Sequence, residues 1–120
     1  MVIEPLGRML PVDDEGFLCR DTSADLIPGA WWPLVEGVIA AYREHCGETL
    51  HSVYLRGRVP RGLAIDSISD LDTLAVLCTD ASRDEPAWVA SVSRELHRVH
   101  GIGTGVEMTV VGMNHVRDHS

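Results

Sequence analysis

A chain of 120 residues, 45% of them apolar, is sized for one domain around one hydrophobic core. Its formal charge of −8 repels phosphate backbones and argues against broad nucleic-acid binding, while a small anion screened by metal ions remains compatible with it. No apolar run approaches the ~20 residues that cross a bilayer, so the expectation is a soluble, cytoplasmic protein with no membrane partner.

The first part of the chain is the least regular. "MVIEPLGRMLP" lacks the basic start and long apolar stretch of a secretion signal. A short hairpin is conceivable around Asp13-Asp14-Glu15-Gly16, because Asp and Gly tolerate turn geometries. From Pro28 a helix is expected, since Trp31, Leu34, Val35, Val38, Ile39 and Tyr42 recur with helical spacing. Such a stripe buries only one of two adjacent residues well, so Trp31 and Trp32 are not both expected inside. Gly47 is the expected stop. "HSVYLRG" then reads as a strand ending at Gly57, and "LDTLAVLCT" as a central strand buried on both faces. In "ASRDEPAWVASVSRELHRVHG" Ser82 and Glu85 have capping-box spacing with Pro86 in the first turn. Trp88, Val92, Leu96 and Val99 form the buried stripe of this second helix, and Gly101 ends it. "GVEMTVVG" alternates, with Val106, Met108 and Val110 on one face and Glu107, Thr109 and Val111 on the other. The polar tail "MNHVRDHS" is expected to fray.

The order helix, strand, strand, helix, strand predicts an α/β-type (α+β) fold, a small mixed sheet packed against helices. One domain spans 1–120, with an irregular extension over 1–27 and a frayed tail over 113–120. Cys19, Cys46 and Cys78 form an odd set without CxxC spacing, which reads as free packing thiols, with Cys78 buried at a strand end. His97/His100 and His115/His119 have spacings that bind zinc in other contexts. Without nearby Cys or carboxylate partners they read as exposed helix and tail histidines.

The chemistry concentrates in "YLRGRVPRGLAIDSISDLDTLAVL", Tyr54 to Leu77. Asp70 and Asp72 are two residues apart, so on extended backbone they point to one side. Two adjacent carboxylates repel unless a cation lies between them. Hard divalent ions such as Mg²⁺ bind one or two carboxylates together with substrate phosphates. Glu107, on the polar face of the last strand, supplies a third carboxylate if the strands are neighbours. Gly57 lets the backbone approach a ligand, and Arg61 adds positive charge for phosphate.

These residues resemble the nucleotidyltransferase superfamily related to DNA polymerase beta. Its pattern is an apolar strand ending in Gly-Ser, a gap of roughly ten residues, and Asp-apolar-Asp-apolar. Here "VYLRGR" supplies the strand and glycine, 11 residues separate Arg58 from Asp70, and "SDLDTLAVL" supplies Ser69, Asp70 and Asp72. Arg61-Gly62 is similar to the family's continuation after the turn. The resemblance covers residues 28–111. It implies a minimal nucleotidyltransferase that moves a nucleoside monophosphate from an NTP, expected to be ATP, to an acceptor hydroxyl and releases pyrophosphate. Two Mg²⁺ ions would be held by Asp70, Asp72 and Glu107, and phosphate by Gly57, Arg58, Arg61 and Ser69. It also implies a helical partner protein or a second copy to complete the cleft, as in antitoxins that pair with a HEPN-type ribonuclease.

Arg58 departs from the pattern, because a small hydroxyl residue usually follows the glycine. Three alternatives stay open. Arg58 pairs with phosphate and activity is retained; or it fills the pocket or pairs with Asp70 or Asp72, leaving a degenerate module that acts as antitoxin or scaffold by contact; or it marks a changed nucleotide preference.

Overall fold

The computed structural model describes residues 2–5, 10–11, 27–56, 59, 64–82 and 84–118. Helix α1 spans Trp32–Cys46. Pro33 suits its first turn, where an amide N–H has no helical partner, and Arg43 and His45 complement the dipole in its last turn. Gly47 ends it with φ 56°, a conformation that glycine adopts without steric cost. Leu34, Val35, Val38 and Tyr42 are fully buried along one face, each contributing about 1.5–3 kcal/mol on removal from water.

Trp31 and Trp32 are both buried, contrary to the expectation that a helical stripe takes only one of the two. Trp31 belongs to a 3₁₀ turn, Gly29–Trp31, that precedes α1. The change of helical pitch lets the two indoles enter the core from different elements. Neither is available as a partner surface.

Four further strands and helices frame the site: β3 (Leu50–Arg56), β4 (Leu71–Leu77), α2 (Ala87–His100) and β5 (Val106–Val111). The residues expected to be irregular at the start contribute β1 (Val2–Pro5) and β2 (Leu10–Pro11). Segments this short carry no readable alternation, and the pairing of β1 with β3 is a long-range event. The proposed turn at Asp13–Gly16 lies outside the described residues. The described strands form one mixed sheet in the order β2-β1-β3-β4-β5. β1 is parallel to β3, β3 antiparallel to β4, and β4 parallel to β5. Parallel neighbours need a crossover, and α2 supplies the one between β4 and β5. Both helices pack on one face, because α1 contacts β3, β4 and α2, and α2 contacts β5. The fold is α+β, as expected. Among the described residues no helix is long and apolar enough to cross a membrane.

The second helix starts later than the capping-box spacing suggests. Pro86 is its N-cap, extended at ψ 143°, and no side chain caps it. The Ser82 hydroxyl instead accepts the Asp84 N–H at 3.1 Å, a local turn that competes with helix. Of its expected stripe, Trp88, Val92 and Leu96 pack against the core, Val89 joins them as a buried residue, and Val99 is 59% exposed. Trp88 meets Tyr42 edge-on at 6.1 Å and stacks on His45 at 4.4 Å. Residues 113–118 of the tail form α3 (Met113–Asp118). Asn114 grips the Ala81 backbone, accepting from its N–H at 3.1 Å and donating to its carbonyl at 3.0 Å. Cys78 is exposed, because β4 ends one residue before it. Burial raises the thiol pKa of Cys46.

Gly103 fixes the turn before β5 against Trp31. Its φ is 79°, and a Cβ there would lie 2.7 Å from the Trp31 ring and 2.9 Å from the Ser69 carbonyl. Gly105 has nothing within 4 Å of the same position. Gly103→Ala is expected to lose about 1–3 kcal/mol in urea unfolding, and Gly105→Ala much less. Equal losses in the two variants would refute this account of the turn.

Candidate functional site

Strand pairing sets three charged residues in one row. Arg56 of β3 pairs in register with Asp72 of β4, and Asp72 with Glu107 of β5. Register partners on adjacent strands share a face of the sheet, about 4.8 Å apart. That face is opposite α1 and α2, since the next residues, Thr73 and Met108, are buried toward the helices. The Arg56 Nη2 donates to Asp72 Oδ1 at 3.1 Å. Asp72 is half-buried and Glu107 exposed; Asp70, also exposed, lies just before β4.

The loop that delivers Asp70 is tied down locally and to the turn before β5. Ser69 Oγ accepts the Ile65 N–H at 2.9 Å, and the Ser69 N–H donates to the Ile65 carbonyl at 2.7 Å. Across the gap, Thr104 N–H donates to the Ser69 carbonyl at 2.9 Å and Leu71 N–H to the Gly105 carbonyl at 3.0 Å. The Gly103 N–H donates to Asp66 Oδ1 at 2.7 Å. His97 Nε2 lies 2.9 Å from the Gly103 carbonyl, so that nitrogen carries the proton and donates. Together these bonds fix where β4 and β5 begin relative to one another.

Beneath the row, on the helix side, is a buried polar network. Thr73 Oγ1 donates to the Glu107 carbonyl at 2.8 Å. Its proton is thereby used, so the Tyr42 hydroxyl donates to Thr73 Oγ1 at 2.8 Å. The Tyr42 oxygen in turn accepts the Thr109 N–H at 3.1 Å. One phenol on α1 thus joins β4 and β5 directly behind Asp72 and Glu107. Burial pushes its pKa well above the ordinary phenol value.

The expected site residues divide three ways. Asp72 and Glu107 are neighbours, with Asp70 one step outside the strand. Ser69, expected on the phosphate side, is buried, with its hydroxyl holding the loop. Gly57, Arg58 and Arg61 lie outside the described residues, as do Cys19 and His119. The carboxylates are hard oxygen donors of the kind that Mg²⁺ or Mn²⁺ takes, and they share one side of the sheet. They do not form a ready cage: among the described residues no three His, Cys, Asp or Glu side chains converge on a common point for a metal. The fit to a divalent cation is therefore one of donor type and face. His97 and His115 are half-buried rather than exposed, and His115 Nδ1 accepts the Gly112 N–H at 3.0 Å.

Arg56 was missed by sequence reasoning. Its signal was weak, an arginine ending an apolar strand, and only the antiparallel register shows that it faces Asp72. Its Nε is buried with no acceptor among the described residues. Leaving such a donor unsatisfied costs about 1–3 kcal/mol or more.

Tyr42→Phe is expected to lose about 1–3 kcal/mol, because it removes the acceptor of the part-buried Thr109 N–H and the donor to buried Thr73. The pH dependence has a definite sign. The folded state holds the Tyr42 proton more tightly than the unfolded chain, whose phenol titrates near the ordinary value of about 10. The associated stability is full below about pH 10 and is lost as pH rises toward the folded value. Denaturant melts between pH 8 and 11 should show the parent weakening more steeply than Tyr42→Phe; parallel curves would contradict the assignment. Compared with family models, with curated proteins and with solved structures, the chain matches none.

Proposed function

We propose that this domain is a nucleotidyltransferase of the polymerase-beta-like type, binding an NTP, with ATP expected, and transferring its nucleoside monophosphate to an acceptor hydroxyl. The observation that carries the reading is the register pairing of Asp72 with Glu107 on parallel strands, with Asp70 exposed two residues upstream of Asp72. Carboxylates far apart in sequence are neighbours on the face opposite α1 and α2. Mg²⁺ ions held by Asp70, Asp72 and Glu107 would neutralise the triphosphate and the entering oxygen. In the transfer, the acceptor oxygen bonds to the α-phosphorus and the bond to the bridging oxygen of pyrophosphate breaks. Pyrophosphate leaves with the electron pair, and the hydroxyl proton passes to Glu107 or to solvent. The remaining work of the chain is to orient groups and balance charge.

A second reading has its own support. Arg56 engages Asp72, and the carboxylates do not converge as a preformed metal group among the described residues. These features favour a domain that has lost transfer and acts by contact, as an antitoxin or scaffold with a helical partner or a second copy.

Calorimetry with Mg²⁺ and each of the four NTPs separates the two readings. Under the enzyme reading at least one nucleotide binds, and α-labelled ATP transfers its label to an acceptor. An Asp70→Asn/Asp72→Asn double variant should lose transfer by a factor of about 100 or more. Silence with all four nucleotides would remove the enzyme reading, and label transfer that survived in the double variant would remove the proposed carboxylates. Arg58→Ser tests the departure in the turn: a gain in transfer identifies Arg58 as a suppressor, and a loss identifies it as a phosphate ligand.

A further inference from the structure

The row Arg56–Asp72–Glu107 reads plus, minus, minus across three strands. A divalent cation on Asp72 and Glu107 competes with the Arg56 guanidinium for Asp72, and the two cations repel at such range. An anion that touches both relieves the conflict, since a phosphate oxygen can bind metal and accept from an arginine at once. Arg56 is suited to that exchange. Its side chain is 41% exposed, so the guanidinium tip is accessible, while its Nε is buried with no acceptor among the described residues. Among the described residues Asp72 engages one arm of the fork, Nη2. Arginine recognises phosphate best through two parallel N–H groups.

We infer that Arg56 is an exchange residue: it neutralises Asp72 in the ligand-free protein and passes to a phosphate oxygen when a metal–polyphosphate complex arrives. The inference rests on the nucleotidyltransferase reading for the position of the metal. It adds an order of events, because it makes metal and phosphate bind as a coupled pair. The free metal meets an Asp72 already engaged by a cation. The metal–polyphosphate complex brings its own acceptor for that cation.

Arg56→Gln in the full chain therefore has effects of opposite sign. Mn²⁺ alone, followed by electron paramagnetic resonance, is expected to bind about tenfold more tightly than to the parent, because the competing cation is gone. Mg²⁺ with tripolyphosphate is expected to bind about tenfold more weakly by calorimetry. Arg56→Lys keeps the charge but not the fork, and should retain weak Mn²⁺ binding while still losing polyphosphate affinity. This variant carries the test if Arg56→Gln melts early. Changes of the same sign for both ligands, or no change, overturn the exchange. So does a parent that binds no tripolyphosphate. Tripolyphosphate binding without ATP binding would leave the exchange standing and remove the nucleotide reading. ATP binding indifferent to Arg56 would do the reverse.

Discussion

The placement of β4 between an antiparallel neighbour and a parallel one governs the rest of the molecule. Its register with β3 sets Arg56 against Asp72, and its register with β5 sets Asp72 against Glu107. Because side chains alternate along a strand, a slip of one residue would turn Asp72 into the core and Thr73 out of it. The Tyr42–Thr73 hydrogen bond opposes that slip. Thr73 is fully buried and has a partner only in the observed register, so displacement would strand a hydroxyl, a phenol and an amide together. The polar network under the sheet thus specifies what the charged row above it looks like.

The two loops that enter β4 and β5 reinforce the same alignment from the end of the strands. Ser69, Gly103, Thr104 and Gly105 exchange backbone hydrogen bonds or contacts, and Trp31 seals them from the helix side. Such an arrangement anchors the strand entrances beside the carboxylates by several hydrogen bonds. Rigidity there matters for any ligand that must meet several of them, because each side chain held in advance is one fewer to order on binding.

Electrostatics run against this arrangement and make it informative. In a chain of net charge −8, carboxylates paired across adjacent strands are disfavoured unless something positive is near. The ion pair at Arg56 supplies one positive charge to the row. Being partly exposed, such a pair adds little stability by itself. Its consequence is instead for what can approach Asp72.

Much was legible in the sequence where local physics decides. Gly47 and Gly101 were readable as helix stops, because each adopts positive φ at a C-terminus. Val106, Met108 and Glu107 were assigned to their faces by alternation alone. Asp70, Asp72 and Glu107 stood out as residue types whose chemistry suits a hard cation. The start of α2, the burial of both tryptophans and the formation of α3 were not legible, since the first two turn on fine local backbone geometry and the third on a distant contact. Pro86 overrode a capping signal, a 3₁₀ turn separated two adjacent indoles, and Asn114 found the backbone of Ala81. The sequence by itself determined the helix stops, the alternation of the strands and the presence of a carboxylate set. Tertiary structure alone decided that Asp72 lies between Arg56 and Glu107, because strand register is fixed by burial and pairing between segments that share no local signal.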